Sequence, residues 1–388
     1  MLFCAAVVLP PLRAQVTFER SYGGQKSDHG YFAQPLPDGG CILVGSTLSF
    51  GAGRSDIYLV KTETRGDTLW TRTFGGRDYD VGYAVQPTAD GGYIIAGTTR
   101  SLGSGRYDAC LIKTGARGEA LWTRTYGGSS DDGARSVQQT TDGGYVIAGC
   151  TESFGAGQGD VYLVRADARG DTQWTRTFGG ANQDEAFSVR QTSDKGFVIV
   201  GLTQSFGAGE DDVYLVKTDA RGDTMWTRTF GGDDDDFGYS VRQTADGGYI
   251  IAGLNESRGA GGEDVYLIKT DARGDTSSTR TLGGTSTDEA HSVQQTADRG
   301  YIVAGSTYSF GAGDFDAYLI RTDSGGETLW TRTFGGTGDD GAWSVQQAAD
   351  GGFIVAGYTS SPGTGDKDVL LVRTDSVGNV AAAKPRRH

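Results

Sequence analysis

Apolar and polar residues follow one another along the chain in short runs that alternate in the manner of β-strands. Residues Tyr239 to Thr244 (YSVRQT) lead through Ala245-Asp246-Gly247-Gly248 into Tyr249 to Gly253 (YIIAG), which predicts a tight hairpin. After a glycine-rich loop, Asp264 to Thr270 (DVYLIKT) turns at Asp271-Ala272-Arg273-Gly274-Asp275 into a segment ending TRTLGG, a second hairpin. The unit therefore has four strands. In YIIAG, Tyr249 and Ile251 point one way while Ile250 and Ala252 point the other, so both faces of the sheet are apolar. Such a sheet needs another packed on each side.

The unit repeats. A glycine pair recurs at Gly23-Gly24, Gly75-Gly76, Gly127-Gly128, Gly179-Gly180, Gly231-Gly232, Gly283-Gly284 and Gly335-Gly336, always 52 residues apart, and seven copies fill positions 17 to 380 without insertion or deletion. Seven four-stranded units closing in a ring give every sheet two neighbours, which is the β-propeller solution. A linear solenoid would need distinct caps. The chain opens with a lone fourth strand at Val16 to Tyr22 and closes with three strands ending near Asp375. The N-terminal strand is thus expected to complete the last blade, leaving no free sheet edge. The predicted fold class is all-β: a seven-bladed β-propeller with four antiparallel strands per blade.

The run DVYLVKTDARGDTMWTRTFGGDDDDFGYSVRQTADGGYIIAG, Asp212 to Gly253, resembles the seven-bladed β-propeller repeat of secreted bacterial and archaeal proteins, with a kelch-like blade layout. In that family a strand, an Asp-x-x-Gly turn, an aromatic strand and a Gly-Gly-x-x-x-Asp loop recur. The resemblance covers residues 17 to 380 and implies a secreted or surface propeller, with no implied activity. Ser277 and Ser278 depart from it, standing where other copies have Leu-Trp, and Pro362 interrupts the last loop. The serines should loosen the packing of their strand.

Composition agrees with short strands and tight turns: 64 glycines, 18 tyrosines and only 7 prolines in 388 residues. A net charge of -14 disfavours nucleic acid and anionic lipid surfaces. The segment MLFCAAVVLPPLRAQ is too short to span a bilayer and reads as a truncated signal peptide over residues 1–15, with Ala14 at a small-residue cleavage point. A buried N-terminal strand is the alternative. The propeller occupies 16–380, and 381–388 form a flexible basic tail with Lys384, Arg386 and Arg387. Cys41, Cys110 and Cys150 have no metal-ligand spacing and replace other residue types in the repeat, as buried, incidental thiols would.

Comparison of the copies separates framework from variation. Trp70, Trp122, Trp174, Trp226 and Trp330, each followed two residues later by arginine, are expected to pack between blades. Aspartate recurs in three sets of seven. The set beginning Asp38 and Asp90 lies in the first hairpin turn and is structural. The second set is Asp28, Asp80, Asp132, Asp184, Asp236, Asp288 and Asp340, and the third begins Asp56 and Asp108. Strand order puts the second and third sets on one face of the disk. They either cap loops or hold Ca²⁺, and the second set is the candidate metal site, although no recognised calcium spacing is present. The quartet Asp233 to Asp236 is one member of that set, Asp236, preceded by variable residues.

The most variable loop positions share this face, together with a variable position of the inner strand: Tyr31, Tyr83, Arg135, Phe187, Tyr239, His291 and Trp343. These seven are the candidate ligand-binding residues, since aromatic and cationic side chains anchor sugars and peptides. His29, His291 and His388 sit at unrelated positions, and no GxSxG elbow, P-loop or dinucleotide fingerprint occurs in a supporting context. Three functions stay open. The first is a secreted or cell-surface binding or scaffold module, without a transmembrane segment and monomeric, whose loop face takes a glycan, peptide or other protein. The second is a polysaccharide hydrolase or lyase centred on the channel. The third is a structural domain of a larger surface protein. A single deep pocket joining His291, Trp343 and carboxylates would favour the enzyme, and a ring of similar shallow grooves would favour multivalent binding.

Overall fold

A computed structural model describes residues 15–361 and 365–381. The expected signal segment up to Ala14, Pro362 and the expected basic tail from residue 382 lie outside the described residues. Among the described residues, twenty-eight strands, β1 to β28 in chain order, form seven four-stranded antiparallel sheets. The first complete blade is β2 (Asp28–Pro35), β3 (Cys41–Thr47), β4 (Asp56–Thr62) and β5 (Thr68–Phe74), paired in that order. Five further blades repeat it. The last contains β26 (Asp340–Gln347), β27 (Phe353–Thr359) and β28 (Asp368–Arg373), and β1 (Phe18–Tyr22) pairs antiparallel with β28, Phe18 opposite Arg373 and Tyr22 opposite Val369. The seven-bladed propeller and its closure by the N-terminal strand are as expected.

The core lies between blades. Ile42, Val44, Ile57 and Leu59 of the first blade pack on Val85, Tyr93, Ile95 and Ile112 of the second. The seam between last and first blades is built alike, from Phe18, Ile354, Val369 and Leu371 against Leu43, Tyr58 and Val60. The middle strands β3 and β4 are buried almost throughout, whereas β5 is largely open to solvent. This gradient follows from the apolar pattern of each strand: a strand with two apolar faces can only sit between neighbouring sheets.

The outer tryptophans join the blades, as expected. Trp70 meets Tyr93 of the next blade edge-on with ring centroids 6.0 Å apart, and the Arg72 guanidinium lies 5.4 Å from its indole centroid. The same ring covers Gly118, where φ is +78° and a Cβ would come within 2.6 Å of the indole. Glycine is therefore required there for both conformation and space. Arginines of the outer strands reach carboxylates one blade on, as Arg228 does to Asp275 at 2.9 Å. Strand β21 (Thr276–Leu282) keeps its full pairing despite Ser277 and Ser278. What it lacks is an indole over Gly326.

Candidate functional site

The hairpin aspartates accept backbone N–H bonds, as Asp38 does from Gly40 at 3.0 Å, and each also pairs with a Lys or Arg of the third strand. That cation is buried: Lys113 is 4% exposed and bonds Asp90 at 3.0 Å. Side-chain and backbone hydrogen bonds outweigh the opposing effect of partial burial and hold the Asp90 and Asp246 carboxyls at about 2. The sequence reading identified these aspartates as structural but missed their cations, which stand 23 residues downstream.

The second and third aspartate sets do share one face, but beneath its surface. Members of the second set are at most 1% exposed, and each opens its inner strand rather than lying in the preceding connection. Asp236 shows the pattern: Oδ2 accepts the Gly232 N–H and the Ser257 hydroxyl at 2.8 Å each, and Oδ1 accepts from Asn255. Asp80 is held likewise by Gly76, Ser101 and Thr99. Asp56 of the third set accepts the N–H groups of Ala52 and Gly53 at 3.1 and 3.0 Å. A Cβ on Gly75 would lie 2.5 Å from carboxylate oxygens of both Asp56 and Asp80, so the glycine pair lets the backbone thread between two buried acids. Burial, and secondarily Asp80, pushes the Asp56 carboxyl above the ordinary range. A calcium ion at Asp80 or Asp236 would have to compete with three hydrogen bonds to the carboxylate, and at Asp184 with two. Among the described residues no three His, Cys, Asp or Glu side chains gather as a metal-holding group.

The seven candidate binding residues are brought together. Each inner strand carries a β-bulge at the candidate position: pairing skips Tyr31, Tyr83, Arg135, Phe187, Tyr239, His291 and Trp343 in turn. A bulged residue is released from the ladder and its side chain re-aimed. All seven line one central cavity of about 650 Å³. Tyr31 meets Tyr83 and Trp343 with centroids 5.1 and 5.9 Å apart, and His291 lies 4.1 Å from Trp343. His29 joins them at 6.2 Å from Tyr31, so the two described histidines belong to one aromatic network rather than to unrelated places.

Charge breaks the symmetry of this collar. Arg135 lies 4.3 Å over the Tyr83 ring and bonds Glu185 at 3.0 Å. Across the channel, His291 Nε2 is 3.0 Å from Glu289, while His291 Nδ1 and Trp343 Nε1 have no partner among the described residues. Burial, then repulsion from Glu289 and Glu256, pushes the Glu263 carboxyl up to about 7. Burial would raise the Glu289 carboxyl too, but its hydrogen bond with His291 holds it below the ordinary range. A local cluster of unlike polar groups is therefore present where none was visible in the sequence.

A second tier lies three residues deeper along the inner strands, about 10 Å at the usual strand rise. In chain order it reads Gln34, Gln86, Gln138, Arg190, Arg242, Gln294 and Gln346. Gln86, Gln138 and Gln294 each accept a backbone N–H of the next blade at 2.7 Å. Arg190 and Arg242 stand on the adjacent strands β14 (Asp184–Gln191) and β18 (Asp236–Gln243), where both line the cavity. Arg190 bonds the Val189 carbonyl at 2.7 Å and Ser136 Oγ at 3.4 Å, and Arg242 bonds the Val241 carbonyl at 3.0 Å. Burial lowers the Arg190 guanidinium to about 10, and burial plus the Arg190 charge lowers Arg242. The sequence reading missed this tier, although the Gln-to-Arg change between copies was its signal.

A smaller groove of about 330 Å³ beside Tyr83 and Arg135 includes Cys150. That thiol is half-buried rather than buried, and burial pushes it up to about 12, far from nucleophilic.

No protein-family model matches the chain. The regulatory protein FlaEY of Caulobacter vibrioides is 28% identical over 203 residues, a match covering 45% of this chain and 21% of that protein. Similar solved structures include the Neurospora crassa Pan2 WD40 domain, 11% identical with a TM-score of 0.55 over 96% of this chain and all of that one. The Doa1 WD40 β-propeller domain, 12% identical, has a TM-score of 0.57 over 92% of this chain and 96% of that one. The extracellular domain of a putative one-component system from B. thetaiotaomicron, 10% identical, gives 0.50 over 92% of this chain and 40% of that one. At such identities the likeness is one of fold. Among the described residues no helix is long and apolar enough to cross a membrane.

Proposed function

We propose that this propeller is a binding module of the cell exterior whose ligand enters the central channel from the loop face. The observation that carries the reading is the convergence of seven bulged side chains, six of them aromatic rings, on one cavity of about 650 Å³. That is a size suited to a small ligand or a polymer segment. Rigid strands position the collar, and its members differ from blade to blade while the framework does not. Export rests on the apolar segment from Leu2, and monomeric behaviour on the closure of every sheet edge within one chain. A glycan and polysaccharide array, run with and without Ca²⁺, tests the reading: binding to the parent that is lost on Tyr31→Ala with Tyr239→Ala supports it, and binding unaffected by that pair overturns it. Calorimetric titration after chelation tests calcium at Asp28, Asp80 and their equivalents.

A second reading, a polysaccharide hydrolase or lyase, draws on the Glu263, Glu289 and His291 cluster. Glu289 and His291 line one cavity with Trp343, with Glu263 behind Glu289, and an acid and a base side by side are what such a reaction requires. Release of new reducing ends or unsaturated products, abolished by Glu289→Gln, is its signature.

A further inference from the structure

Five of the seven second-tier positions are neutral glutamines, which both donate and accept hydrogen bonds. Arg190 and Arg242 replace them on neighbouring blades, and a guanidinium cannot accept, so the inter-blade bond made by Gln86, Gln138 and Gln294 has no counterpart there. Neither arginine has a carboxylate partner among the described residues, although the chain carries a net charge of -14 and most of its buried cations are paired. Two like charges facing a shared cavity without a counterion are costly unless something negative joins them. Across the same cavity, the Gln346 amide nitrogen and the Trp343 indole nitrogen have no hydrogen-bond partner among the described residues.

The geometry points to an acidic glycan segment as the channel's ligand, its carboxylate held by Arg190 and Arg242 while its sugar rings stack on the aromatic collar about 10 Å nearer the mouth. This rests on the reading of the channel as a binding site and narrows it. A peptide is disfavoured because the inner-strand edges are already occupied. The N–H groups of Val189, Val293, Val345 and Ala33 donate to serine hydroxyls of the preceding blade at 3.1 to 3.2 Å, leaving little for an added strand to pair with.

The test uses tri-galacturonic acid and its neutral methyl ester as probes, titrated calorimetrically against the parent protein and the Arg190→Gln, Arg242→Gln double variant. The variant installs the residue found in the other five blades, so its fold and melting temperature should be kept. The parent is expected to bind the acid at least ~10-fold more tightly than the ester, about one charge-assisted contact's worth, and the double variant to show no preference. Equal affinities of acid and ester for the parent, or a preference that survives in the variant, overturn the inference and leave channel binding standing. Should neither sugar bind, citrate decides. A rise in melting temperature confined to the parent upholds the anion site, and an equal response in both proteins removes it. A peptide whose free C-terminal carboxylate binds in an Arg190- and Arg242-dependent way, where the sugar does not, overturns the glycan assignment.

Discussion

Of the four consecutive aspartates at 233 to 236, the buried Asp236 should matter most to the fold and the exposed Asp234 should not. Replacing Asp236 with alanine removes the acceptor of three donors: Gly232 N–H and Ser257 O–H, both at 2.8 Å, and the Asn255 amide. Ser257 keeps an alternative in the Asp234 carbonyl at 3.3 Å, which leaves two donors stranded at a fully buried site. At about 1–3 kcal/mol per unsatisfied buried group, the loss is about 2–6 kcal/mol. It is moderated because burial and the nearby Asp212 already raise the Asp236 carboxyl, so deletion also relieves a strained charge. A value near 4 kcal/mol corresponds to about 5 °C if the ring melts as one unit, using about 2 cal/mol/K per residue for the unfolding entropy. Asp234→Ala, at an exposed position, should stay within about 0.5 kcal/mol of the parent. Differential scanning calorimetry of the two variants measures both. The reasoning fails if Asp236→Ala melts within 1 °C of the parent, or if the two variants lose the same amount.

Restoring the missing indole with Ser277→Leu and Ser278→Trp should stabilise the fifth blade against the sixth by about 2 kcal/mol, since the new ring would cover Gly326 and meet Tyr301 as Trp226 meets Tyr249 at 5.9 Å; chemical denaturation reads the gain. Gly118→Ala should cost about 2–4 kcal/mol, because the methyl group meets the Trp70 ring in a left-handed backbone conformation, and a melting temperature equal to the parent's would contradict that packing. Stability should peak in mild acid. The raised carboxyls Asp56, Asp108, Asp236 and Asp316 favour the folded state when protonated, a contribution lost as pH rises through their folded values. The depressed hairpin carboxyls Asp90 and Asp246 favour it when ionised, a contribution lost as pH falls from about 4 towards 2. A melting temperature that falls steadily from neutrality downwards would contradict this balance.

The ring was readable because its cause is local and repeated: a period of 52 residues, apolar residues on both strand faces, and a fourth strand displaced to the N-terminus. The collar was readable for a related reason, as a position that varies inside an invariant frame. The bulge that aims it was not, because one unpaired residue in an eight-residue strand leaves the apolar pattern unchanged, and only pairing of Gly238 with Gly253 and Ser240 with Ala252 shows that Tyr239 is skipped. The burial of Asp236 was hidden for another reason. Loop residues such as Ser257 fold over it from 21 positions away, so a run of acids that looks solvated is partly interior. The Glu289 and His291 pairing joins residues two apart on one strand, which ordinary alternation places on the same face, so this contact was open to the sequence and was missed there.

Closure of the ring has a mechanical side. Phe18 and Arg373 stand opposite one another, so the chain enters and leaves the last blade at the same end of the β1 and β28 pair. Beyond them, the Gln15 contacts with Asp350 and Ser376, the Thr17 contact with Ala381 and the packing of Val16 and Val380 on the adjoining cores reinforce the junction. A pull applied to both ends therefore loads these bonds singly and in sequence, like a peeled strip, rather than shearing all five residue pairs together. A pull applied from one end against a ligand seated in the channel reaches the clasp through a single strand, and the remaining six blades bear that load as complete sheets.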